Sequence, residues 1–192
     1  SADILIALLE SYQIETPADV ANNVLIWRGI IPDSNKIYES LGYPCKANKF
    51  TNGEEITLVK GISPQDYQKI KELITVYGDG MININTISAE ALNIFCRGIA
   101  KSLHINESFA DRLASKIIEL RGRDGYFKEK GDINIALTGD EETNIFNNLM
   151  NNIVFQSSNF LIEVVGNVSK IKDGIVAVYN RTDKKIVYWH EG

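Results

Sequence analysis

The sequence has few of the side chains that build metal centres and disulfide frameworks. Its 192 residues include only two cysteines, Cys45 and Cys96, and two histidines, His104 and His190. No Cys-x-x-Cys pair or His/Cys cluster occurs, so we do not expect a zinc site. The cysteines could form one disulfide in an oxidising compartment or remain buried thiols in a reducing one, and their spacing does not decide between these.

Long apolar runs and an excess of positive charge are also missing. No run approaches the roughly 20 apolar residues that cross a bilayer, and the N-terminus lacks the order of a signal peptide. Lys and Arg number 20 against 25 Asp and Glu, which gives a formal net charge of −5. No global electrostatic field therefore attracts the chain to nucleic acid.

Sequence signatures of common catalytic sites are absent as well. There is no Gly-x-Gly-x-x-Gly, P-loop, Gly-x-Ser-x-Gly or His-Glu-x-x-His motif. Adjacent acids such as Glu54 and Glu55 are better explained as solvated residues at a helix start. We therefore expect a protein that is not an enzyme and has no catalytic residues.

Helix signals dominate the first 150 residues. Thr16-Pro17 and Ser63-Pro64 each place a hydroxyl residue before a proline, the pattern of an N-cap followed by the first helical residue. Ser88 is a further N-cap candidate, and Gly122 is a candidate helix stop. The predicted helices cover residues 2–12, 17–28, 52–59, 64–74, 88–96, 108–121 and 141–150. Residues 75–85 are predicted to form either a small hairpin or two extended linkers.

An internal repeat suggests two related helical units. Residues 20–29 and 113–122 share an alanine, the spacing of apolar residues and an Arg-Gly end. Downstream, a phenylalanine precedes a short acidic stretch ending in isoleucine in both copies, at residues 50–56 and 127–133. Chance similarity between amphipathic helices is one explanation. We favour two tandem units of the helix-hairpin-helix or SAM-like kind that pack on each other.

The C-terminal part of the chain changes to β-branched and aromatic runs. Residues 160–165, 174–179 and 185–189 are separated by polar turns at 172–174 and 181–183. We predict three antiparallel strands in a meander, and therefore an α+β protein. Such a sheet needs cover on its apolar face, from an N-terminal helix or from a segment missing from this chain.

The stretch ININTISAEAL, residues 82–92, is the most distinctive motif. Its Asn and Thr side chains can fix a turn before the helix that Ser88 caps. Together with residues 58–62, 74–78 and the closing strands that end in Val187-Tyr188-Trp189, it resembles the central signature of K-type minor pseudopilins of bacterial type II secretion. The family usually has an acidic Trp-Ile-Asp-type stretch and then a Gly-x-Glu segment, where this chain has Trp27-Arg28-Gly29.

The resemblance implies a pilin-like scaffold interrupted by a helical insertion. Residues 1–29 would be a helical start and first unit, 30–152 a SAM-like insertion domain, and 153–192 the closing three-stranded meander of the pilin-like domain. The implied protein is a non-enzymatic subunit at the tip of the periplasmic pseudopilus. Its implied partners are the I- and J-type minor pseudopilins and the inner-membrane secretion platform. An N-terminal membrane helix outside this chain would anchor it.

Three apolar residues of the first helix, Ile4, Leu5 and Leu8, are the candidate partner-binding residues. Two roles are open for them. They could be ordinary core, or they could contact a partner subunit or the rest of the pilin scaffold.

A helix-hairpin-helix module that binds DNA is the alternative function. Residues 82–132 also resemble the module of competence-type DNA receptors, in which a Gly-Ile-Gly hairpin offers backbone N–H groups to phosphate. Here Arg97-Gly98-Ile99-Ala100 lacks the second glycine. Because the net charge is also negative, we do not expect nucleic acid as a partner.

Calcium is the one possible cofactor, since oxygen-rich loops can bind it without a fixed motif. Residues 138–142, Thr-Gly-Asp-Glu-Glu, are the best candidate, followed by residues 78–80. The first segment also has a structural explanation as an acidic helix start. No ligands can be assigned from the sequence.

Overall fold

The computed structural model of the protein describes residues 1–168 and 171–191. In these residues seven α-helices come first along the chain and a three-stranded antiparallel sheet comes last. The helices are α1 (Ala2–Ser11), α2 (Pro17–Trp27), α3 (Ile37–Ser40), α4 (Pro64–Ile70), α5 (Ala89–Ser102), α6 (Glu107–Asp124) and α7 (Gly139–Met150). Short 3₁₀ turns lie at Glu54–Leu58, Lys71–Leu73 and Lys130–Asp132. The predicted α+β class is confirmed.

The helix starts follow the local sequence signals. The Ser63 hydroxyl accepts a hydrogen bond from the N–H of Asp66 at 3.1 Å, and the Asp66 carboxylate accepts one from the Ser63 N–H at 3.2 Å. This is a capping box. Ser88 accepts from the backbone N–H three residues later, at 3.0 Å. Thr16 stands at the N-cap of α2 and Pro17 begins the helix, as predicted, but the Thr16 side chain makes no cap hydrogen bond and its backbone is left-handed, with φ 47°.

Two helices run further than predicted. α5 continues past Cys96 to Ser102, and α6 passes Gly122 and ends at Asp124. A glycine inside a helix is only a weak breaker. Gly125 follows α6 with φ 80°, a conformation that ends the helix, so the stop predicted at Gly122 is wrong.

The helices build two hydrophobic cores. The N-terminal core draws on α1, α2, α3 and α4, and its most buried side chains are Leu9, Val20, Tyr38 and Ile70. The C-terminal core draws on α5, α6 and α7, and includes Leu92, Leu113, Ile117, Ile145 and Leu149. Each half contains a pair of long helices and later a 3₁₀ turn followed by a further helix, an order that agrees with the internal repeat, and the N-terminal half has the short α3 in addition. Residues 1–29 share their core with later residues up to Ile74.

The two cores meet where α1 packs on α5. A Cβ placed on Gly98 of α5 would lie 2.4 Å from the Cα of Ile4 in α1. Only glycine therefore permits this approach. Beside the contact, the Lys101 ammonium pairs with Glu10 at 3.0 Å and with Glu107 at 3.2 Å, which links α1, α5 and α6.

Residues 75–85 connect the two halves without forming a hairpin. β1 (Ile82–Asn83) instead pairs in parallel with β2 (Ile153–Val154). The Ile82 N–H donates to the Asn152 carbonyl at 2.9 Å, and the Ile84 N–H donates to the Val154 carbonyl at 3.1 Å. Of the two alternatives for this segment, the hairpin is therefore wrong.

Asn85 of the distinctive motif bonds two distant segments to this junction. Its amide nitrogen donates to the carbonyls of Phe127, at 2.8 Å, and Phe155, at 3.0 Å. Its amide oxygen accepts the Phe127 N–H at 2.8 Å. Nearby, the Asn83 amide donates to the Ser157 hydroxyl at 2.8 Å. The motif therefore fixes the segment that leads into the C-terminal sheet.

The C-terminal sheet consists of β3 (Asn159–Val168), β4 (Ile171–Asn180) and β5 (Lys185–Glu191), in the order β3-β4-β5. The antiparallel meander and its turn at residues 181–183 are confirmed. The turn predicted at residues 172–174 is wrong, because these residues pair with residues 165–167 inside the β3–β4 ladder.

The α1–α5 approach makes Gly98 a test of the helical packing. We expect Gly98→Ala to lower the free energy of unfolding by about 1–3 kcal/mol, because the added methyl group must push α1 away. Gly122→Ala is the matched control, since a Cβ there meets nothing within 4 Å. It should raise stability by about 0.5 kcal/mol through helix propensity. Urea unfolding measures the free energy of unfolding of both variants. Equal changes in the two would contradict the close approach of α1 to Gly98.

The Asn85 bonds can be tested by an isosteric change. In Asn85→Asp the two carbonyls lose their donor and face a carboxylate, so we expect a loss of about 2–4 kcal/mol. Asn83→Asp is the control, because the Ser157 hydroxyl can rotate and donate to the new carboxylate. Thermal unfolding at neutral pH measures both variants. If the Asn83 variant is the less stable one, the assignment of the amide bonds is wrong.

Candidate functional site: the apolar face of the C-terminal sheet

One face of the C-terminal sheet is almost entirely apolar. Side chains alternate across a sheet, so residues paired in register lie on the same face. Ile162, Ala177 and Trp189 form one such row, and Phe160, Tyr179 and Ile186 form the next. The apolar face is defined here by Phe160, Ile162, Val164, Ile175, Ala177, Tyr179, Ile186 and Trp189.

The large side chains of this face are exposed although they are apolar. Phe160 and Ile162 expose 41% and 42% of their surface, and Val164, Ile186 and Trp189 expose 51–52%. Single exposed apolar residues are ordinary, but the register makes these neighbours. A contiguous surface of this kind is typical of a contact with another helix, sheet or subunit.

The opposite face of the sheet is mixed in character. It carries Leu161 and Val165 together with Glu163 and His190, which flank Val176 in one cross-strand row. We call it the mixed face. Charged groups interrupt its apolar residues, so it is the less suitable surface for an apolar partner.

The helical part of the protein contacts the sheet near the β4–β5 turn. The rings of Tyr77 and Tyr188 lie 5.7 Å apart, and Tyr188 belongs to the mixed face. At the same end, the Asn180 amide donates to the Asn159 side chain at 3.0 Å. The Arg181 guanidinium lies 5.9 Å from the centre of the Phe160 ring. The Asn180 and Arg181 contacts lie within the sheet and its turn, whereas the Tyr77–Tyr188 contact joins the helical part to the mixed face and leaves the apolar face exposed.

The predicted partner-binding residues lie elsewhere, on α1. Leu8 is 6% exposed in the N-terminal core, and Leu5 packs beside it, half-buried. Ile4 is half-buried against Gly98. Ile4 and Leu8 also line a groove of ≈520 Å³ together with Phe95. All three residues have packing partners inside the chain. The sequence analysis did not select the apolar face of the sheet, although the apolar runs of its strands were the signal that could have indicated it.

The cysteines are not paired with each other. Cys96 is fully buried in α5, and burial raises the pKa of its thiol to about 12. Cys45 is half-buried, and its thiol donates to the Ile26 carbonyl at 3.4 Å. Of the two alternatives, a disulfide or two free thiols, the structure has the free thiols. Cys96 is chemically inert because its raised pKa keeps it protonated, and the thiolate is the reactive form.

The DNA-binding alternative fails at its key segment. Residues 97–100 lie inside α5 and do not form a hairpin turn between helices. The Gly98 backbone faces α1, and the Arg97 guanidinium makes a two-pronged ion pair with Asp111 at 2.6 and 2.9 Å. Neither the Gly98 backbone nor the Arg97 guanidinium is therefore free to bind a phosphate.

The calcium candidate at residues 138–142 forms the acidic start of α7, the structural explanation given for it above. Glu142 is fully buried, and its carboxylate binds the Lys116 ammonium at 2.7 Å. Across residues 1–168 and 171–191, no three His, Cys, Asp or Glu side chains are grouped in a way that could hold a metal ion. No helix in the same residues has both the length and the apolar character needed to cross a bilayer.

The fold matches a solved structure from a secretion system. A chain of the GspK-GspI-GspJ complex from the type 2 secretion system of enterotoxigenic Escherichia coli superimposes on this protein with a TM-score of 0.73. The match covers 100% of this chain and 69% of that chain, at 14% sequence identity. The superposition establishes a common fold, and at this identity it establishes the fold alone. No protein-family model matches the sequence, and no curated protein is significantly similar to it.

The two tryptophans give a direct test of the exposed face. Trp189 is 51% exposed on the apolar face, whereas Trp27 is 4% exposed and its indole N–H donates to Glu55 at 2.9 Å. We expect iodide to quench the fluorescence of Trp189 and not that of Trp27. Trp189→Phe should remove the quenchable component and leave blue-shifted emission. Quenching that persists in this variant would mean that Trp27 is accessible.

Proposed function

We propose that this protein is a minor pseudopilin of the type II secretion system, of the K type, and that it has a structural, non-enzymatic role. The single observation that carries the proposal is the superposition of the whole chain on a subunit of the GspK-GspI-GspJ complex. Its partners would be the I- and J-type minor pseudopilins of the same system. It would work with them in the periplasm, at the tip of a pseudopilus built on the inner-membrane platform.

The apolar face supports an assembly role. A row such as Ile162, Ala177 and Trp189 has a small residue between two large ones, and it carries no charge. A surface of this kind gains free energy when an apolar helix or a neighbouring subunit covers it. Among the sheet residues that the structure describes, Asp173 and Glu191 are the acids on this face, and both lie at the end far from the β4–β5 turn. We infer that the apolar face is the surface through which the sheet joins the assembly.

Mass measurement of the mixed proteins tests the proposed function. The chain would be combined with its cognate I- and J-type minor pseudopilins and analysed by size exclusion with light scattering. We expect a single species with one copy of each subunit. If every protein elutes alone at micromolar concentration, the proposed function is wrong.

A pair of neighbouring valines tests the surface separately. Val164 on the apolar face and Val165 on the mixed face are 52% and 55% exposed. A lysine at either position therefore replaces the same side chain at a similar exposure. We expect Val164→Lys to weaken the complex at least tenfold, since it buries a charge in an apolar contact. Val165→Lys should have a much smaller effect. If the complex tolerates both changes, the proposed function still stands, but the apolar face is not the surface that contacts the partners.

A further inference from the structure

Three oxygen atoms converge on the ammonium of Lys116. This lysine extends from α6, and its Nζ donates to the Ala136 carbonyl at 2.7 Å, to the Glu142 carboxylate at 2.7 Å and to the Thr138 hydroxyl at 3.3 Å. An ammonium has three N–H donors, so all three are used. The Thr138 N–H also donates to the same oxygen of Glu142.

The fourth oxygen of the group has no partner. Glu142 is 0% exposed, and its Oε1 makes no hydrogen bond within the described part of the chain. Burial would raise the pKa of Glu142, but the bonds from Lys116 and the Thr138 N–H outweigh it and hold the pKa below its ordinary value. The carboxylate is therefore charged at neutral pH, and Lys116 is the cation that balances it.

The donor set is the one that hard divalent cations use. Calcium takes six to eight oxygen ligands from carboxylates, backbone carbonyls, hydroxyls and water. A carbonyl, a hydroxyl and both oxygens of one carboxylate would supply four. Water could supply the rest, because the Lys116 side chain is 30% exposed and reaches the group from the solvent side.

We propose that Ala136, Thr138 and Glu142 form a cation site whose resident cation is the Lys116 ammonium, and that a divalent cation of calcium's class binds there once the ammonium is removed. In the natural protein the site is filled from within the chain. The ion pair then fastens the segment before α7 to α6 without any external ion. The inference does not depend on the proposed function.

The test compares thermal unfolding with calcium and with chelator. Lys116→Met removes the charge and keeps the apolar stem of the side chain, which then ends one atom short of the ammonium position. In chelator we expect its Tm to fall by roughly 6–15 °C, because a buried carboxylate loses its partner. Saturating calcium should then raise the Tm by roughly 5–10 °C. The natural protein should melt at the same temperature in both conditions.

Two controls separate this site from ordinary ion pairs. Lys101 has a similar exposure, 28%, but its partners Glu10 and Glu107 are 43% and 41% exposed. Lys101→Met should therefore cost little and should not respond to calcium. The double variant Lys116→Met/Glu142→Gln should lose the calcium response, since the carboxylate that would bind the ion is gone.

Several outcomes would overturn the proposal. A folded Lys116→Met protein whose Tm ignores calcium would do so, and so would a natural protein that responds to calcium as strongly as the variant. If the variant does not fold in chelator, it would be purified with calcium present. Recovery only with calcium supports the site, and recovery in neither condition counts against it.

Discussion

The side-chain amide of Asn85 bonds three parts of the chain that lie far apart in the sequence. It holds the Phe127 backbone through two hydrogen bonds and the Phe155 carbonyl through a third. Phe127 follows α6, and Phe155 lies between β2 and the C-terminal sheet. This amide helps to fix the position of the sheet relative to the helices, because the β1–β2 pairing beside it is only two residues long; the Asn83–Ser157 bond and the Tyr77–Tyr188 contact add to it.

The helical part gives the sheet a stiff support. Two helical halves, each with its own core, meet where Gly98 brings α1 against α5, and charged side chains such as Lys101 bridge the helices around that contact. Side chains in such an interior are close-packed, so one half cannot shift without disturbing the other. A support of this kind is suited to presenting a surface to other subunits.

Polar and apolar features of the molecule have different roles. Polar groups such as the Asn85 amide and the Glu142–Lys116 pair bond within the chain and specify how its segments meet. The apolar face of the sheet is the opposite case, since Trp189 and Ile186 remain half exposed. Covering such a face removes apolar surface from water, which is favourable in free energy. Polar groups that already have partners gain little free energy from a new one.

Local signals in the sequence determined the elements of this protein, and contacts between distant residues determined how they are arranged. The capping residues Ser63 and Ser88, the strand runs and the turn at residues 181–183 were predictable, because each depends on neighbours a few positions away. The parallel β1–β2 pair, the continuation of α6 through Gly122 and the burial of Glu142 were not, since their partners lie elsewhere in the chain. The strands were visibly apolar, but only the tertiary structure decided which face stays open, because that depends on where the helices contact the sheet.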